Sequence, residues 1–473
     1  MLNAGLQRKH LQSRHYLTQT PAGLRRSVRP SRRHSKSSRQ PCTAAMTLLG
    51  SPVVVGTGAV VLTAVAAAIY DAKRCSRLPK VKMQLNEFNR TVMSRCPNIN
   101  SLYRMVPFLT NGHVETILCS RLRKGPVLDP YKRRIMAMPD GGSVALDFED
   151  LPLAQDLPKD APVIILLPGL TGGSHDSYVK HMVLSCRQNG LRAIVFNSRG
   201  TSDGPVTSPQ FYSASYTGDM RAVVKEVQSM YPDSVLLAAG WSLGANIMVR
   251  YLGEQGKESP IAAAISMCNP FDLVTCDENF KKGFNRVYDS NLAKGLKRIY
   301  KSHEHLFEGI QGEYQLDLAA NCRTIRDFDD AITRVSFGWP SVDAYYAGSS
   351  SALSIPKVAV PLLCVQAEDD PIAVEPAIPY RALAENPNCI LVTTPGGGHL
   401  GWAAGGGGPF GGPWTDGVTT EWLNSVLLEL YRQGRLPTRS AQPGAPARLG
   451  GRQGASRPEE ESNGTGRTLT AVQ

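Results

Sequence analysis

Gly240-Trp241-Ser242-Leu243-Gly244 sets a serine hydroxyl between two glycines at the spacing G-x-S-x-G. The apolar run Val235-Leu-Leu-Ala-Ala239 precedes it, and Ala245-Asn-Ile-Met-Val-Arg-Tyr251 follows with the composition of a helix. The motif therefore falls on a strand-turn-helix corner, the context in which such a serine is a nucleophile. The corner is too tight for side chains on either flank, hence the glycines. It lifts Ser242 Oγ clear of the strand ends and aims the amide of Leu243 at the same point.

A serine of this kind needs a base, and the base needs an orienting acid. On a strand-turn-helix corner the chain order is serine, acid, histidine. Only His303, His305 and His399 follow Ser242. His303 and His305 lie in Lys301-Ser-His-Glu-His305, which reads as an exposed helix face. His399 comes after the strand-like run Cys389-Ile-Leu-Val-Thr-Thr-Pro395 and three glycines, where a mobile backbone can swing an imidazole over the strand ends. The acid falls in Glu368-Asp369-Asp370-Pro371, at the end of the apolar run Pro361-Leu-Leu-Cys-Val-Gln-Ala367. Spacing does not separate Asp369 from Asp370. One is expected to orient His399 and its neighbour to cap the turn before Pro371; Asp272 is a more distant candidate.

The tetrahedral oxyanion needs two amides. Leu243 supplies one. The second is expected at Leu170, where the buried run Pro162-Val-Ile-Ile-Leu-Leu167 leads into Pro168-Gly169-Leu170-Thr171-Gly172-Gly173. This glycine-rich turn lacks the Lys-Ser/Thr pair of a phosphate loop, so nucleotide binding is discounted.

These residues resemble a known family, the abhydrolase-domain esterases and lipases with the α/β-hydrolase fold. The YheT-like hydrolases belong to this branch, and the likeness is greatest to the plant embryogenesis-associated, EMB8-like proteins. The blocks that carry it are Asn111-Gly-His-Val-Glu-Thr116, Asp140-Gly-Gly-Ser-Val-Ala-Leu-Asp147 and Pro168 to Tyr178, then Phe196-Asn-Ser-Arg-Gly200, Gly240 to Asn246, Ala367-Glu-Asp-Asp-Pro371 and Gly397-Gly-His-Leu-Gly-Trp402. The resemblance implies a charge relay of Ser242, Asp370 and His399, and so selects Asp370 over Asp369. It implies hydrolysis of lipid carboxylic esters (acylglycerols, phospholipids or short-chain esters) through an acyl-enzyme, with no cofactor and no metal. Acyl transfer or thioester hydrolysis on the same triad is an alternative, as is a hydrolase-like scaffold without catalysis. Relatives often carry His-Gly where this chain has Pro168-Gly169; a backbone donor tolerates the change. The His-x4-Asp associated with acyl transfer is absent, since Ala404 stands at its last position.

The elements that must position these residues alternate. Strands are expected near 163–168, 192–197, 234–240, 261–267, 361–367 and 389–394, with helical patterns between them. Val223, Val224, Val227 and Tyr231 mark one helix face, and Trp422, Val426, Leu427 and Leu430 the last. The order predicts a mostly parallel central sheet with helices on both faces. A hairpin around Pro139-Asp-Gly-Gly142 is expected at its edge. About 85 residues, 271–355, interrupt the alternation. They are expected to form a helical cap whose aromatics Phe337, Trp339, Tyr345 and Tyr346 line an acyl pocket.

The net charge of +12 resides at the ends. Residues 1–45 hold ten Lys or Arg and no acid, and subtracting both ends and the basic 71–82 leaves residues 83–433 at −5. A nucleic-acid partner is therefore not expected. The Arg- and Ser-rich residues 1–45 read as a disordered arm or an organellar (chloroplast or mitochondrial) transit peptide. Residues 46–70 carry no charge, enough for the roughly 20 residues of a membrane span; the reading is a single-pass protein of an endomembrane such as the ER, with the membrane as a partner. Residues 71–99 read as a linker, 100–433 as the hydrolase domain and 434–473 as a disordered tail containing the sequon Asn463-Gly-Thr465. The ten scattered cysteines include no Cys-x-x-Cys and are expected to be reduced.

Overall fold

Apolar runs bounded by turns give nine strands in the computed structural model, which describes residues 52–128, 130–149 and 157–436. In chain order they are β1 Lys80–Met83, β2 Tyr131–Ala137, β3 Ser143–Glu149, β4 Val163–Leu167, β5 Arg192–Asn197, β6 Leu236–Trp241, β7 Ile261–Met267, β8 Leu362–Ala367 and β9 Cys389–Thr394. They form one sheet in the order β1-β9-β8-β7-β6-β4-β5-β3-β2. The six strands β4 to β9 run parallel, while β1 and the β2–β3 hairpin add antiparallel edges. β6, which ends at the serine corner, lies centrally between β4 and β7.

The helices before the cap are α1 Pro52–Cys75, α2 Glu87–Ser94, α3 Gly112–Leu122, α4 Ser177–Gln188, α5 Gly218–Met230 and α6 Leu243–Gln255. The cap carries α7 Leu273–Phe280, α8 Asn285–His303, α9 Leu316–Asn321, α10 Ile325–Phe328, α11 Arg334–Ser336 and α12 Val342–Ser349, and then come α13 Tyr380–Glu385 and α14 Trp414–Arg432. Alternation along β4 shows how the layers form. Ile164 and Leu166 pack with α4 and α14 residues such as Val179, Met182 and Trp422. Val163, Ile165 and Leu167 pack on the other face with Val223, Met248 and Leu252 of α5 and α6. Each such side chain, fully buried, contributes about 1.5–3 kcal/mol.

Residues 71–99 are not a linker. Met83 and its neighbours pair antiparallel with β9, Lys80 opposite Thr393, and Val92 and Met93 of α2 are buried in the core shared with α14. The short strand is masked in the sequence by its alternating lysines, which face out at the sheet edge.

Among the described residues no helix is long and apolar enough to cross a membrane. This overturns the single-pass span over 46–70 and the endomembrane location drawn from it. Positions 46–51 lie outside the described residues, as do the leader 1–45 and the tail from 437. Within α1 the uncharged run ends at Tyr70, ahead of Asp71, Lys73 and Arg74. The helix then turns polar and docks. Asp71 Oδ2 accepts from Thr110 Oγ1 at 2.6 Å, Ala72 is buried, and Met105 N donates to Ser76 Oγ at 2.8 Å.

Candidate active site

β6 delivers Ser242 to the turn before α6 with φ 52° and ψ −122°, a backbone conformation side chains rarely adopt. The packing around it accounts for the glycines. A Cβ at Gly240 would sit 2.8 Å from Ala245 N, and one at Gly244 would collide with the carbonyl oxygens of Leu167 and Pro168. The corner is tied down by Ser242 N donating to Met267 O at 3.0 Å.

The structure brings Ser242, His399 and Asp370 together. His399 Nε2 lies 3.1 Å from Ser242 Oγ. Its Nδ1 lies 2.9 Å from Asp370 Oδ2 and 3.1 Å from Oδ1. With Nδ1–H donating to the carboxylate, Nε2 is the acceptor that faces the serine hydroxyl. Asp370 is 4% exposed, and its Oδ1 also accepts from Ile372 N at 2.8 Å and Ala373 N at 2.9 Å. One aspartate thus both faces the histidine and caps the turn at Pro371. Asp369 does not cap that turn, contrary to expectation; its Oδ1 accepts from Gly398 N at 2.9 Å. Burial pushes the Asp369 carboxyl up to about 6.

The other candidates lie elsewhere. Asp272 caps α7, accepting from Val274 N and Thr275 N. His303 Nδ1 is bonded to Ile299 O within α8, and His305 is exposed.

Around the expected oxyanion site, tyrosines fix the flanking amides. Gly169 N donates to Tyr178 Oη at 3.1 Å and Thr171 N to Tyr212 Oη at 2.8 Å. Leu170 lies between them, and Leu243 begins α6, where first-turn amides have no partner within the helix. A Cβ at Gly169 would stand 3.2 Å from Ser242 Cβ, a contact tight enough to crowd the serine. Leu170, Leu243, Ser242 and His399 all line one cavity of about 570 Å³, within the range of small-molecule sites.

The cap forms the far wall of that cavity through Phe280, Val287, Leu292, Leu296 and Phe328. Of the four expected aromatics, Tyr345 and Tyr346 line it. Phe337 instead packs on Tyr216 with ring centroids 5.3 Å apart, and Trp339 Nε1 donates to Ser215 Oγ at 3.3 Å; neither lines the cavity. Sequence periodicity does not reveal which side of a short helix meets a cavity.

A carboxyl that sequence reasoning missed stands in the apolar wall. Asp329 opens a single π-helical turn, Asp329–Thr333, and accepts from Tyr346 Oη at 2.9 Å. Burial pushes it up to about 7 from 3.8. The folded protein therefore holds this proton where the unfolded chain has lost it. Its stabilising effect is complete below about pH 4 and is lost as pH rises to about 7. Asp329→Asn cannot ionise, so the melting temperature of the variant relative to wild type should rise across pH 4 to 7 and level off above. Thermal melts at half-unit intervals check this; a constant difference across the window would contradict it.

Residues 162–402 match the family described as alpha/beta hydrolase fold. Over 360 residues the chain is 52% identical to embryogenesis-associated protein EMB8 of Picea glauca, covering 75% of this chain and 79% of that one. Over 354 residues it is 31% identical to phospholipase ABHD3 of Mus musculus, covering 74% and 85%. A monoacylglycerol lipase of Saccharomyces cerevisiae is 33% identical over 336 residues, covering 62% of this chain and 74% of the lipase.

Proposed function

The chain belongs to the α/β-hydrolase family, and from that premise we propose that it cleaves carboxylic esters of lipids with Ser242 as nucleophile, His399 as base and Asp370 as orienting acid. Relatives named for phospholipase and monoacylglycerol lipase activity support the hydrolase reading in its broad form. The observation that carries the finer reading is the chain of contacts Ser242 Oγ, His399 Nε2, His399 Nδ1, Asp370 at hydrogen-bond distances.

In the proposed reaction Ser242 Oγ attacks the acyl carbonyl while its proton passes to His399 Nε2. Asp370 stabilises the imidazolium and fixes its orientation. The Leu170 and Leu243 amides receive the oxyanion, each such donor being worth about 3 kcal/mol. Collapse expels the alcohol, which takes the proton from Nε2. Water then enters, His399 removes its proton, and the acyl-enzyme is hydrolysed to the free acid. The apolar cap wall supports an acyl chain as the group bound beside the serine.

The test is kcat/KM for dispersed mono- and diacyl lipids beside water-soluble esters of acetate and butyrate. The proposal expects turnover of the long-chain lipids with a kcat/KM at least about tenfold above the acetate ester, since each CH₂ buried in the cavity is worth about 0.8 kcal/mol. Turnover confined to the short soluble esters would contradict the lipid assignment.

A further inference from the structure

The loop that carries His399 is held by a helix remote in sequence. Gly397, Gly398, Leu400 and Trp402 have φ of 144°, 51°, 63° and 42°, so four of six consecutive residues sit in the left-handed region, two of them not glycine. Such a backbone persists only when its surroundings over-determine it. Here the surroundings are largely α3. His399 N donates to Thr116 Oγ1 at 2.8 Å, and Thr116 Oγ1 donates in turn to Gly112 O at 2.6 Å. Ala403 N donates to Glu115 Oε1 at 2.7 Å. Arg123, at the C-cap of α3, donates from Nη1 to Leu400 O at 2.7 Å, from Nη2 to Gly401 O and from Nε to Gly411 O at 2.9 Å. Asp369 completes the set through Gly398 N.

The fit leaves no slack. A Cβ at Gly398 would approach Thr116 Oγ1 to 2.5 Å and Gly112 O to 2.6 Å, and one at Gly112 would run into the Asp369 carbonyl. Thr116 and Glu115 are 7% and 2% exposed. Among the described residues none of these α3 residues hydrogen-bonds to Ser242 or Asp370; their hydrogen-bonded route to the serine is the histidine loop, while Thr116 and Arg123 also line the cavity beside it, which is why KM is read together with kcat below.

We infer that α3 is a template for the histidine loop and that Thr116 is a positioning residue for His399, setting where Nε2 meets Ser242 Oγ. The inference rests on the proposed triad for its catalytic consequence. Its geometric content, a His399 amide locked onto Thr116, stands independently. A hydroxyl suits the task because one atom accepts from the loop and donates back to its own helix. Valine has the same shape and does neither.

The experiment compares wild type with Thr116→Val, Thr116→Ser and Glu115→Gln. Active sites are titrated with a fluorophosphonate, so that kcat is counted per reactive serine rather than per molecule. Thr116→Val is expected to lower kcat per titrated site by about 10- to 100-fold with KM within about twofold, as a displaced base does. Thr116→Ser, and Glu115→Gln, which keeps its amide acceptor, are expected within about threefold of wild type. A Thr116→Val enzyme with a lower melting temperature but wild-type kcat per titrated site would reduce Thr116 to a structural residue and overturn the inference. Should that variant not fold, Thr116→Ala removes the same oxygen without placing a methyl there.

Amide hydrogen exchange makes the outcome independent of turnover. The His399 amide is expected to be protected in wild type and Thr116→Ser and to lose protection in the variants lacking the oxygen. An unprotected His399 amide in wild type overturns the inference whether or not the protein is active. A protected amide in a protein that neither labels nor turns over leaves the template standing and removes the hydrolase reading instead.

Discussion

His399→Ala should lower kcat by about 10⁶-fold, with KM and melting temperature changed little. The size follows from how members of a catalytic triad act as one unit: removing the base alone costs about as much as removing all three members. The imidazole is the only group among the described residues within hydrogen-bond reach of Ser242 Oγ. Without it the hydroxyl has no acceptor for its proton. The fold should survive, because the backbone bonds that shape the loop, from His399 N to Thr116 and from Gly398 N to Asp369, do not involve the ring. Asp370 keeps its two amide donors from Ile372 and Ala373 and is not left as an unpaired buried charge. Steady-state kinetics with a chromogenic ester, beside a thermal melt, check both halves. A loss below about 100-fold would mean another group takes the proton.

Asp370→Asn should cost about 10⁴-fold in kcat, because an amide can no longer receive Nδ1–H as a charge and leaves the imidazole free to adopt the wrong tautomer. Asp369→Asn is the informative partner. Its carboxyl oxygen faces Gly398 N rather than the histidine ring, and asparagine retains an acceptor oxygen there. It should therefore cost less than about tenfold. The pair of variants separates neighbouring residues that the spacing of the sequence does not. Equal losses in both, or a larger loss in Asp369→Asn, would reverse the assignment.

That ambiguity shows which parts of the site were legible. Long parallel strands buried on both faces write themselves as apolar runs, so β5, β7 and β9 fall where the sequence places them, and the serine corner is visible from its glycines. His399 stands out because few histidines follow the serine. Only the family resemblance selects Asp370. The spacing leaves it equivalent to Asp369, and their division of labour depends on how the turn at Pro371 is closed. The role of α3 has no local sign at all. Asn111 is visible as an N-cap, accepting from His113 N and Val114 N, but the contact of Thr116 with a loop 283 residues later is a product of tertiary packing. β1 is hidden in the sequence for another reason: an edge strand of four residues with two exposed lysines carries the composition of a linker. The uncharged stretch at 46–70 misleads in the opposite direction, since low charge alone does not distinguish a span from a helix whose last turn docks on a folded domain through Asp71 and Ala72.

The central claim is that Ser242 is an activated nucleophile. Fluorophosphonate labelling tests it most directly, because phosphorus captures the serine oxygen as fluoride leaves and the adduct survives for mass analysis. Wild type should take up one equivalent, located by peptide mapping on Ser242, and Ser242→Ala should take up none. Folded wild-type protein that remains unlabelled, or an adduct on any other residue, would contradict the account.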